Sequence, residues 1–470
     1  MQGSNPSKPV RNPLDDAPEL CRLSATSLVE AFRSKSLSPV EVARAALNHA
    51  EAINSRFAAF TSIDHEGALA AAKMSEQRWR AGEPASEIDG VPTTIKDIVW
   101  VAGKKITYGS LASDPVFSER DAPSVARLKA AGAAILGITT TPEFGWKAVT
   151  DSRAYGVTSN PWNDALTPGG SSGGAAVAAA VGVGALHLGT DGGGSIRVPA
   201  SFTGIVGLKP TFGKVPAYPA SVFGSVAHVG PLARTVNDVK LMLDAMSGRD
   251  VWDWYQPPFE FPKQPLNVRD LKGVRIGYWR SPPCGDLDPE VGSACDIAVD
   301  RLARAGAIVE PITLPDMDLL SIFNVLWLSG AAKRLRSVAE DRRHLVDPGL
   351  VAAAAKGETY SGADYAEAQA LRAEFGVRME LLFDRLDAIV SPGTAIPAFE
   401  KGRQVPPGSG LALWTEWAGF SFPINLSQQP ACVLPCALTE DGRPIGLQIV
   451  GPRGADDRVL EFARAIEELD

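Results

Sequence analysis

The sequence predicts an α/β protein: a single large domain with a central mixed, twisted sheet that helices cover on both faces. Helix and strand patterns alternate along the chain, and this alternation favours a shared sheet over separate units of one type. The 470 residues are 45% hydrophobic and 21% charged, an ordinary composition for a globular protein. We therefore expect one domain over residues 1–470, with a loose N-terminal leader at 1–20 and a Pro-rich insertion at 256–283.

The N-terminal half supplies the clearest local signals. Ser38 and Glu41 form a capping box with Pro39 at the first helical position, which predicts a helix to about Ile53. Residues 91–95 form a β-branched, apolar strand pattern that delivers Lys96 to the strand end. Four more elements are predicted: a helix at 124–131, a buried strand at 133–137, a turn at 160–162 and a small-residue helix at 174–181.

The C-terminal half continues the same alternation. Its predicted elements are a strand at 274–278, a helix at 289–305, a strand at 307–310, a largely helical stretch at 318–383, strands at 387–390 and 446–450, and a terminal helix at 459–469.

Charge and cysteine content exclude several classes of function. The net charge of −8, with no basic block, argues against nucleic acid and anionic membranes as partners. The five cysteines form no CxxC pair, and Cys432 and Cys436 have no further metal-ligand residues nearby, so we expect no metal and no cofactor. The polar N-terminus predicts no signal peptide, and we expect a cytoplasmic monomer or homodimer in a reducing compartment.

Two serines stand in glycine-rich turns that suit a nucleophile surrounded by free backbone N–H groups. Ser171 lies in PGGSSGG and Ser195 in GTDGGGSIR. The first turn matches the G-x-S-x-G pattern with Ser172 at its centre, but a turn precedes it where a nucleophile elbow requires a strand. We interpret that match as accidental.

A base for such a nucleophile is hard to find among the five histidines. His187 lies in an apolar segment typical of a core residue, and only His228 remains as a possible neighbour of a site. Lys96 is the better candidate. A lysine at the carboxyl end of a buried strand points to the crevice where α/β enzymes bind ligands, and burial lowers the pKa of its amine.

These motifs resemble the amidase signature family. The resemblance is carried by GVPTTIKD around Lys96, PGGSSGG around Ser171 and LGTDGGGSIRVPA around Ser195, followed by GIVGLKPTFGKVP and, near the end, DGRPIGLQIVGP. It covers nearly the whole chain in the family's order. It implies a Ser-cisSer-Lys catalytic unit, with Ser195 as nucleophile, Ser171 as bridging serine after a cis peptide, and Lys96 as base.

The resemblance also implies a supporting set around the nucleophile. Backbone N–H groups of Gly192, Gly193, Gly194 and Ser195 would form the oxyanion hole, and Ser172 would support the catalytic unit. Asp191 and Arg197 flank the loop, and we expect them to pair. Gly192 departs from the family pattern, in which Thr or Ile is common, and we expect a more flexible loop in the absence of substrate.

The implied activity is hydrolysis of the C–N bond of a small amide through an acyl-enzyme. Five residues are predicted to line a pocket for a hydrophobic or aryl acyl group: Gly145, Trp146, Trp327, Trp414 and Trp417. Three alternatives stay open. The chain could hydrolyse carbamates (urethanes) or esters, act as the glutaminase subunit of a tRNA-dependent amidotransferase, or be a non-catalytic binding protein. The amidotransferase subunit typically has Gln where this chain has Val198.

Overall fold

An eleven-stranded mixed sheet runs through the computed structural model, which describes residues 11–258 and 271–469. The strand order is β1-β5-β2-β8-β10-β9-β14-β15-β13-β11-β12. The strands of this sheet are β1 Phe60–Ile63, β2 Pro92–Lys96, β5 Ala134–Thr139, β8 Leu186–Asp191, β9 Val206–Lys209, β10 His228–Ala233, β11 Arg275–Trp279, β12 Ile308–Ile312, β13 Ala388–Pro392, β14 Ala431–Leu438 and β15 Pro444–Val450. Two hairpins complete the set: β3 Lys105–Ile106 with β4 Val116–Phe117, and β6 Asp151–Ser152 with β7 Gly156–Val157.

Helices flank this sheet on both faces, as the sequence predicts. They are α1 Glu19–Arg22, α2 Ala25–Arg33, α3 Pro39–Phe57, α4 His65–Ala81, α5 Pro123–Ala130, α6 Gly173–Ala180, α7 Arg197–Thr203, α8 Val236–Met246, α9 Pro289–Arg304, α10 Leu319–Arg336, α11 Pro348–Gly357, α12 Gly362–Leu381, α13 Phe422–Ser427 and α14 Asp456–Glu467. The predicted capping box of α3 is present: Val40 N–H donates to Ser38 Oγ, and Ser38 N–H donates to Glu41.

Alternate strand residues belong to different apolar clusters, which places a core on each face of the sheet. In β13, Ile389 belongs to the apolar cluster that contains residues of α10, α11, α12 and α13, whereas Val390 belongs to the cluster that contains residues of α5, α8, α9 and α14. In β15, Val450 belongs to the same cluster as Ile389, and Ile449 belongs to the same cluster as Val390. A strand buried on both faces reads as a continuous apolar run, and this is why the sequence pattern of these strands shows no alternation.

The predicted leader and insertion lie partly outside the described residues, at 1–10 and 259–270. The rest of the leader has structure. Residues 13–16 form a 3-10 turn, and α1 follows it. Cys21 and Ala17 are buried in one apolar cluster with Ala46 and Leu47 of α3. This part of the segment therefore packs against the domain.

Close backbone approach explains the glycines at the start of α6. A Cβ on Gly174 would lie 2.5 Å from Ala59 O and 2.4 Å from Thr140 Oγ1. Gly376, in the middle of α12, is the opposite case, because nothing lies within 4 Å of the position of its Cβ.

These two helical glycines should respond to alanine in opposite directions. Gly174→Ala should lower the free energy of unfolding by about 1–3 kcal/mol, because backbone must move to admit the methyl group. Gly376→Ala should raise it by about 0.5–1 kcal/mol, since alanine loses less backbone entropy in a helix. Urea unfolding of the two variants beside the parent measures both changes. A stabilising Gly174→Ala would contradict the packing described for α6.

Candidate active site

Lys96 is the last residue of β2 and lies at the carboxyl edge of the sheet. β2 runs parallel to β8, with Thr93 opposite Leu186 and Ile95 opposite Leu188. The carboxyl ends of parallel neighbours meet at one edge, so Lys96 emerges beside Thr190 at the end of β8. Its side chain is fully buried.

Three hydroxyl groups surround the amine of this lysine. Lys96 Nζ lies 2.6 Å from Ser171 Oγ, 2.9 Å from Ser172 Oγ and 2.9 Å from Thr190 Oγ1. Burial lowers the pKa of Lys96 well below its ordinary value, and the opposing attraction of the Asp191 carboxylate is the smaller effect. Thr190 was not among the predicted residues, although it stands within the motif around Ser195.

The neighbouring Asp97 does not neutralise Lys96. Its carboxylate accepts hydrogen bonds from Thr107 N–H, from the Thr107 hydroxyl and from Gly109 N–H at 3.0 Å. Burial raises the pKa of Asp97 to about 6 in spite of these donors. The two adjacent residues thus serve different purposes, with Asp97 holding the loop at 107–109.

The two serines before α6 connect Lys96 to the glycine loop. The Gly170–Ser171 peptide is cis, as the resemblance implies. Ser172 N–H donates to Ser195 O at 3.0 Å, which ties the two serine loops together. The Ser172 hydroxyl donates to Thr190 O at 3.1 Å, so its oxygen is free to accept from Lys96.

The glycine loop 192–194 is shaped by aromatic side chains and by one unusual backbone angle. A Cβ on Gly192 would lie 2.8 Å from the ring of Trp327, and one on Gly193 would lie 2.6 Å from the ring of Trp414. Gly194 has φ +125°, which side chains rarely allow. The expected loose loop is instead backed by aromatic packing, and Trp327 fills the volume that Thr or Ile would need.

Three N–H groups of this loop are available to a ligand. Gly194 N–H donates to Asp191 Oδ1 at 2.8 Å and is therefore occupied. For Gly192, Gly193 and Ser195, the described part of the chain offers no acceptor to the backbone N–H. Of the four predicted oxyanion donors, the Gly194 N–H is therefore already committed to Asp191, whereas the N–H groups of Gly192, Gly193 and Ser195 remain open.

Asp191 and Arg197 form the expected pair, and both are fully buried. Arg197 Nε and Nη2 each lie 3.0 Å from the carboxylate of Asp191. Arg197 also donates to Gln448 Oε1 at 2.7 Å and to Asn425 Oδ1 at 2.6 Å. Asn425 and Gln448 lie more than 220 residues away in sequence, and no local signal could have identified them.

Ser171 and Ser195 both line one cavity of about 140 Å³. That volume is close to a cavity that holds one benzene ring. Gly145 and Trp327 line it as predicted, and His228 does too. Aromatic residues that sequence analysis did not identify supply much of the remaining wall, namely Tyr108, Phe144, Phe212, Tyr218, Phe223 and Tyr255.

The other three predicted tryptophans do not line this cavity. Trp146 is buried, and its carbonyl accepts from Trp327 Nε1 at 3.0 Å. Trp414 stands edge-on to Trp327, with ring centroids 5.4 Å apart, behind the glycine loop. Trp417 stacks on Phe202 in the core. They support the wall or the core because a tryptophan packs equally well in either place.

His228 lines the cavity but has no free ring nitrogen. Its Nδ1 lies 2.8 Å from Val226 O and 3.2 Å from Asp191 O, and its Nε2 lies 3.3 Å from Lys209 Nζ. Burial, followed by the nearby Lys209, lowers the pKa of His228 well below its usual value. His187 is a buried core residue, as predicted, with Nδ1 2.9 Å from Thr94 Oγ1.

Within residues 11–258 and 271–469, no group of three or more His, Cys, Asp or Glu side chains is arranged to hold a metal ion. No helix in the same ranges is long and apolar enough to cross a bilayer.

Comparison with known proteins gives the same family over almost all of the chain. The Amidase family model matches residues 41–460. An acylamidase of Rhodococcus erythropolis is 35% identical over 460 residues, covering 95% of each chain. A glutamyl-tRNA(Gln) amidotransferase subunit from Symbiobacterium thermophilum is 34% identical, covering 95% of this chain and 96% of the relative. The crystal structure of a bacterial aryl acylamidase matches with a TM-score of 0.86 at 26% identity, covering 95% of this chain and 96% of that one. The protein therefore belongs to the amidase signature family and is a hydrolase of amide C–N bonds.

Proposed function

We propose that this enzyme hydrolyses small hydrophobic or aryl amides through an acyl-enzyme on Ser195, with Ser171 as bridging serine and Lys96 as base. The observation that carries the proposal is the buried amine of Lys96. Among the described residues it has three hydroxyl neighbours and no hydrogen-bonded carboxylate, and it lies at the edge of an aromatic cavity that Ser195 also lines.

The hydrogen bonds around Lys96 fit a neutral amine. A neutral amine has two N–H donors and one lone pair. Ser172 Oγ already donates to Thr190 O and so accepts from Lys96, and Thr190 Oγ1 accepts the second N–H. The lone pair is left for the hydroxyl proton of Ser171, the nearest of the three groups at 2.6 Å. This is the state that a general base requires.

Acylation moves two protons along one path. Ser171 gives its proton to Lys96 as it takes the proton of Ser195, and Ser195 Oγ bonds to the substrate carbonyl carbon. The N–H groups of Gly192, Gly193 and Ser195 stabilise the oxyanion. The C–N bond then breaks as the protons return through Ser171 to the leaving nitrogen. Water repeats the sequence on the acyl-enzyme.

One link of this path forms only with substrate. In the described contacts, no hydrogen bond joins Ser171 Oγ to Ser195 Oγ, although Ser172 N–H holds the two loops together. A rotation of the Ser195 side chain is the change that the mechanism needs, and catalytic hydrogen bonds often tighten in this way when substrate binds.

Cavity size and the relatives support an aryl or apolar acyl amide. The 140 Å³ cavity matches one aromatic ring, and an acylamidase and an aryl acylamidase are among the similar proteins. Carbamates present the same carbonyl geometry and are the second candidate. The similarity to an amidotransferase favours glutamine as a third candidate. A panel of p-nitroanilides, carbamates, esters and glutamine separates these candidates.

The cellular setting stays a prediction. The five cysteines are all free, consistent with a reducing cytoplasm. We propose a monomer or homodimer that requires no cofactor and no macromolecular partner.

Ser195→Ala should abolish turnover, with a loss on the order of 10³-fold or more, because it removes the group that becomes acylated. A fluorophosphonate probe should label the parent enzyme and leave the variant unlabelled, whereas a binding protein would not react in either form. An acyl adduct found on the variant by intact mass spectrometry would exclude Ser195 as the nucleophile.

Lys96→Ala should impair amide hydrolysis more than ester hydrolysis. The leaving nitrogen of an amide must be protonated, and the leaving oxygen of an ester needs this less. Matched amide and ester substrates with the same acyl group measure the difference in kcat/KM. Equal losses on the two substrates would mean that Lys96 does not serve as the proton relay.

The pH profile should follow Lys96 and not His228. Because burial lowers the pKa of Lys96, its amine loses its proton at a lower pH than an exposed lysine does, and activity should rise from acid to a plateau as the proton leaves. The acidic limb should vanish or move in Lys96→Ala. It should stay in place in His228→Ala, since burial and the nearby Lys209 lower the pKa of His228 and its ring nitrogens already have partners. A limb that instead disappears with His228→Ala would identify histidine as the base.

A further inference from the structure

Arg334, in the last turn of α10, lines the cavity without a carboxylate partner. Among the described residues, no Asp or Glu forms an ion pair with it, and its Nε is buried with no hydrogen-bond acceptor. The neighbouring Arg336, two residues on, pairs with Glu358 at the surface. Arg334 as a whole is half-buried, but its buried Nε without an acceptor is an exception to the rule that buried polar groups are hydrogen-bonded.

Two aromatic rings support the guanidinium of Arg334. Its Cζ lies 4.8 Å from the ring centre of Phe144 and 5.7 Å from that of Tyr108. These contacts orient the planar group, but they accept none of its hydrogen bonds. Burial lowers the pKa of Arg334, which shows how little the surroundings compensate its charge. An arginine nevertheless stays protonated in proteins.

Asp253 is the other formally charged side chain in the cavity wall, and it is already satisfied. Its carboxylate accepts from Ala217 N–H and from Tyr255 N–H, both at 2.9 Å. It forms no ion pair with Arg334 in the described part of the chain. The cavity therefore contains one cation whose hydrogen-bonding capacity is unused.

The position of Arg334 sets its distance from the reacting atoms. Trp327, seven residues earlier on the same helix face, stands against the glycine loop. Seven residues advance a helix by about 10 Å. At the other side, Phe144 precedes Gly145, whose Cβ position lies 3.3 Å from Ser171 Oγ. Arg334 and Ser195 line the same cavity, and Arg334 lies about two helical turns from the residue that contacts the glycine loop, so a group bound by the guanidinium would stand several bonds from a carbonyl at Ser195.

We propose that Arg334 binds a carboxylate of the amide substrate, so that the preferred substrates are amides carrying a carboxylate several bonds from the scissile carbonyl. A carboxylate would accept two charge-assisted hydrogen bonds from the guanidinium and so use the donors of Arg334 that are free. This inference rests on the proposed function, which supplies the amide and the position of its carbonyl.

The test compares charged and neutral forms of the same substrate. Mono-p-nitroanilides of glutaric to suberic acid place the carboxylate on the acyl side, and 4-nitrobenzoyl amides of ω-amino acids place it on the amine side. The methyl ester of each is its neutral partner. The parent should prefer the carboxylate in at least one series. Arg334→Met, which keeps the contact with the rings, should lower kcat/KM for that carboxylate by roughly 10- to 100-fold.

Control variants separate binding from folding. Arg334→Met should lower kcat/KM for the neutral esters much less than for the carboxylates. Arg334→Lys should recover only part of the preference, because an ammonium group cannot bind both carboxylate oxygens in the bidentate geometry of a guanidinium. Arg336→Met removes a charge from the same helix turn at an exposed ion pair and should retain the full preference. No preference in the parent, or an equal loss on charged and neutral substrates in Arg334→Met, would overturn the proposal.

Direct binding distinguishes a failure here from a failure of the proposed function. Calorimetric titration of the parent and of Arg334→Met with 6-phenylhexanoate and with its methyl ester needs no hydrolysis. Carboxylate binding that depends on Arg334, without hydrolysis of any amide, would retain this site and reject the proposed function. Hydrolysis of neutral anilides without carboxylate binding would retain the proposed function and reject the carboxylate site at Arg334.

Discussion

The buried ion pair between Asp191 and Arg197 is the interaction on which the site depends. Burying two charges costs several kcal/mol for each ion unless their hydrogen bonds are also satisfied. Here they are. Asp191 accepts from Arg197 and from Gly194 N–H, and Arg197 donates onward to Asn425 and Gln448. The pair therefore joins the end of β8, the start of α7, α13 and β15, and it fixes the loop between them.

The same pair explains why Lys96 is not part of a salt bridge. The carboxylate of Asp191 attracts the protonated amine, but Arg197 occupies its oxygens, and burial decides the pKa of Lys96. Lys209 is a second buried lysine, and burial lowers its pKa too. Its amine contacts the carbonyl groups of Pro210, at 3.2 Å, and Gln429, and His228 Nε2 at 3.3 Å. None of these neighbours is a hydroxyl group, whereas Lys96 faces three hydroxyl groups, one of which belongs to Ser171.

Local patterns predicted the parts of the fold that local forces determine. The capping box at Ser38 and the apolar strand before Lys96 are short-range signals, and the structure confirms both elements. The family and the amide chemistry were also predicted correctly from the motifs. Thr190 could have been found from the same motif, since it stands beside Asp191.

The rest depends on contacts that sequence spacing does not encode. The commitment of Gly194 N–H to Asp191 follows from a turn geometry that a run of three glycines does not reveal. Hydrophobicity could not separate Trp327 in the cavity wall from Trp417 in the core, because both bury the same surface. Much of the cavity wall comes from residues 211–224, a loop placed only by tertiary packing.

Helix α10 and the sheet contribute different parts of the site. The proposed reacting groups and their hydrogen-bond donors come from the ends of β2 and β8 and the two serine loops. α10 contributes Trp327 behind the glycine loop, in the volume that a larger residue at position 192 would fill. One side chain thus explains why this chain has Gly192 where Thr or Ile is common in the family. Arg334 extends the same helix face toward the other end of the cavity. Because Arg334 lies two helical turns beyond Trp327, changes at this end of α10 can alter which amide is accepted while the contact between Trp327 and the glycine loop stays the same.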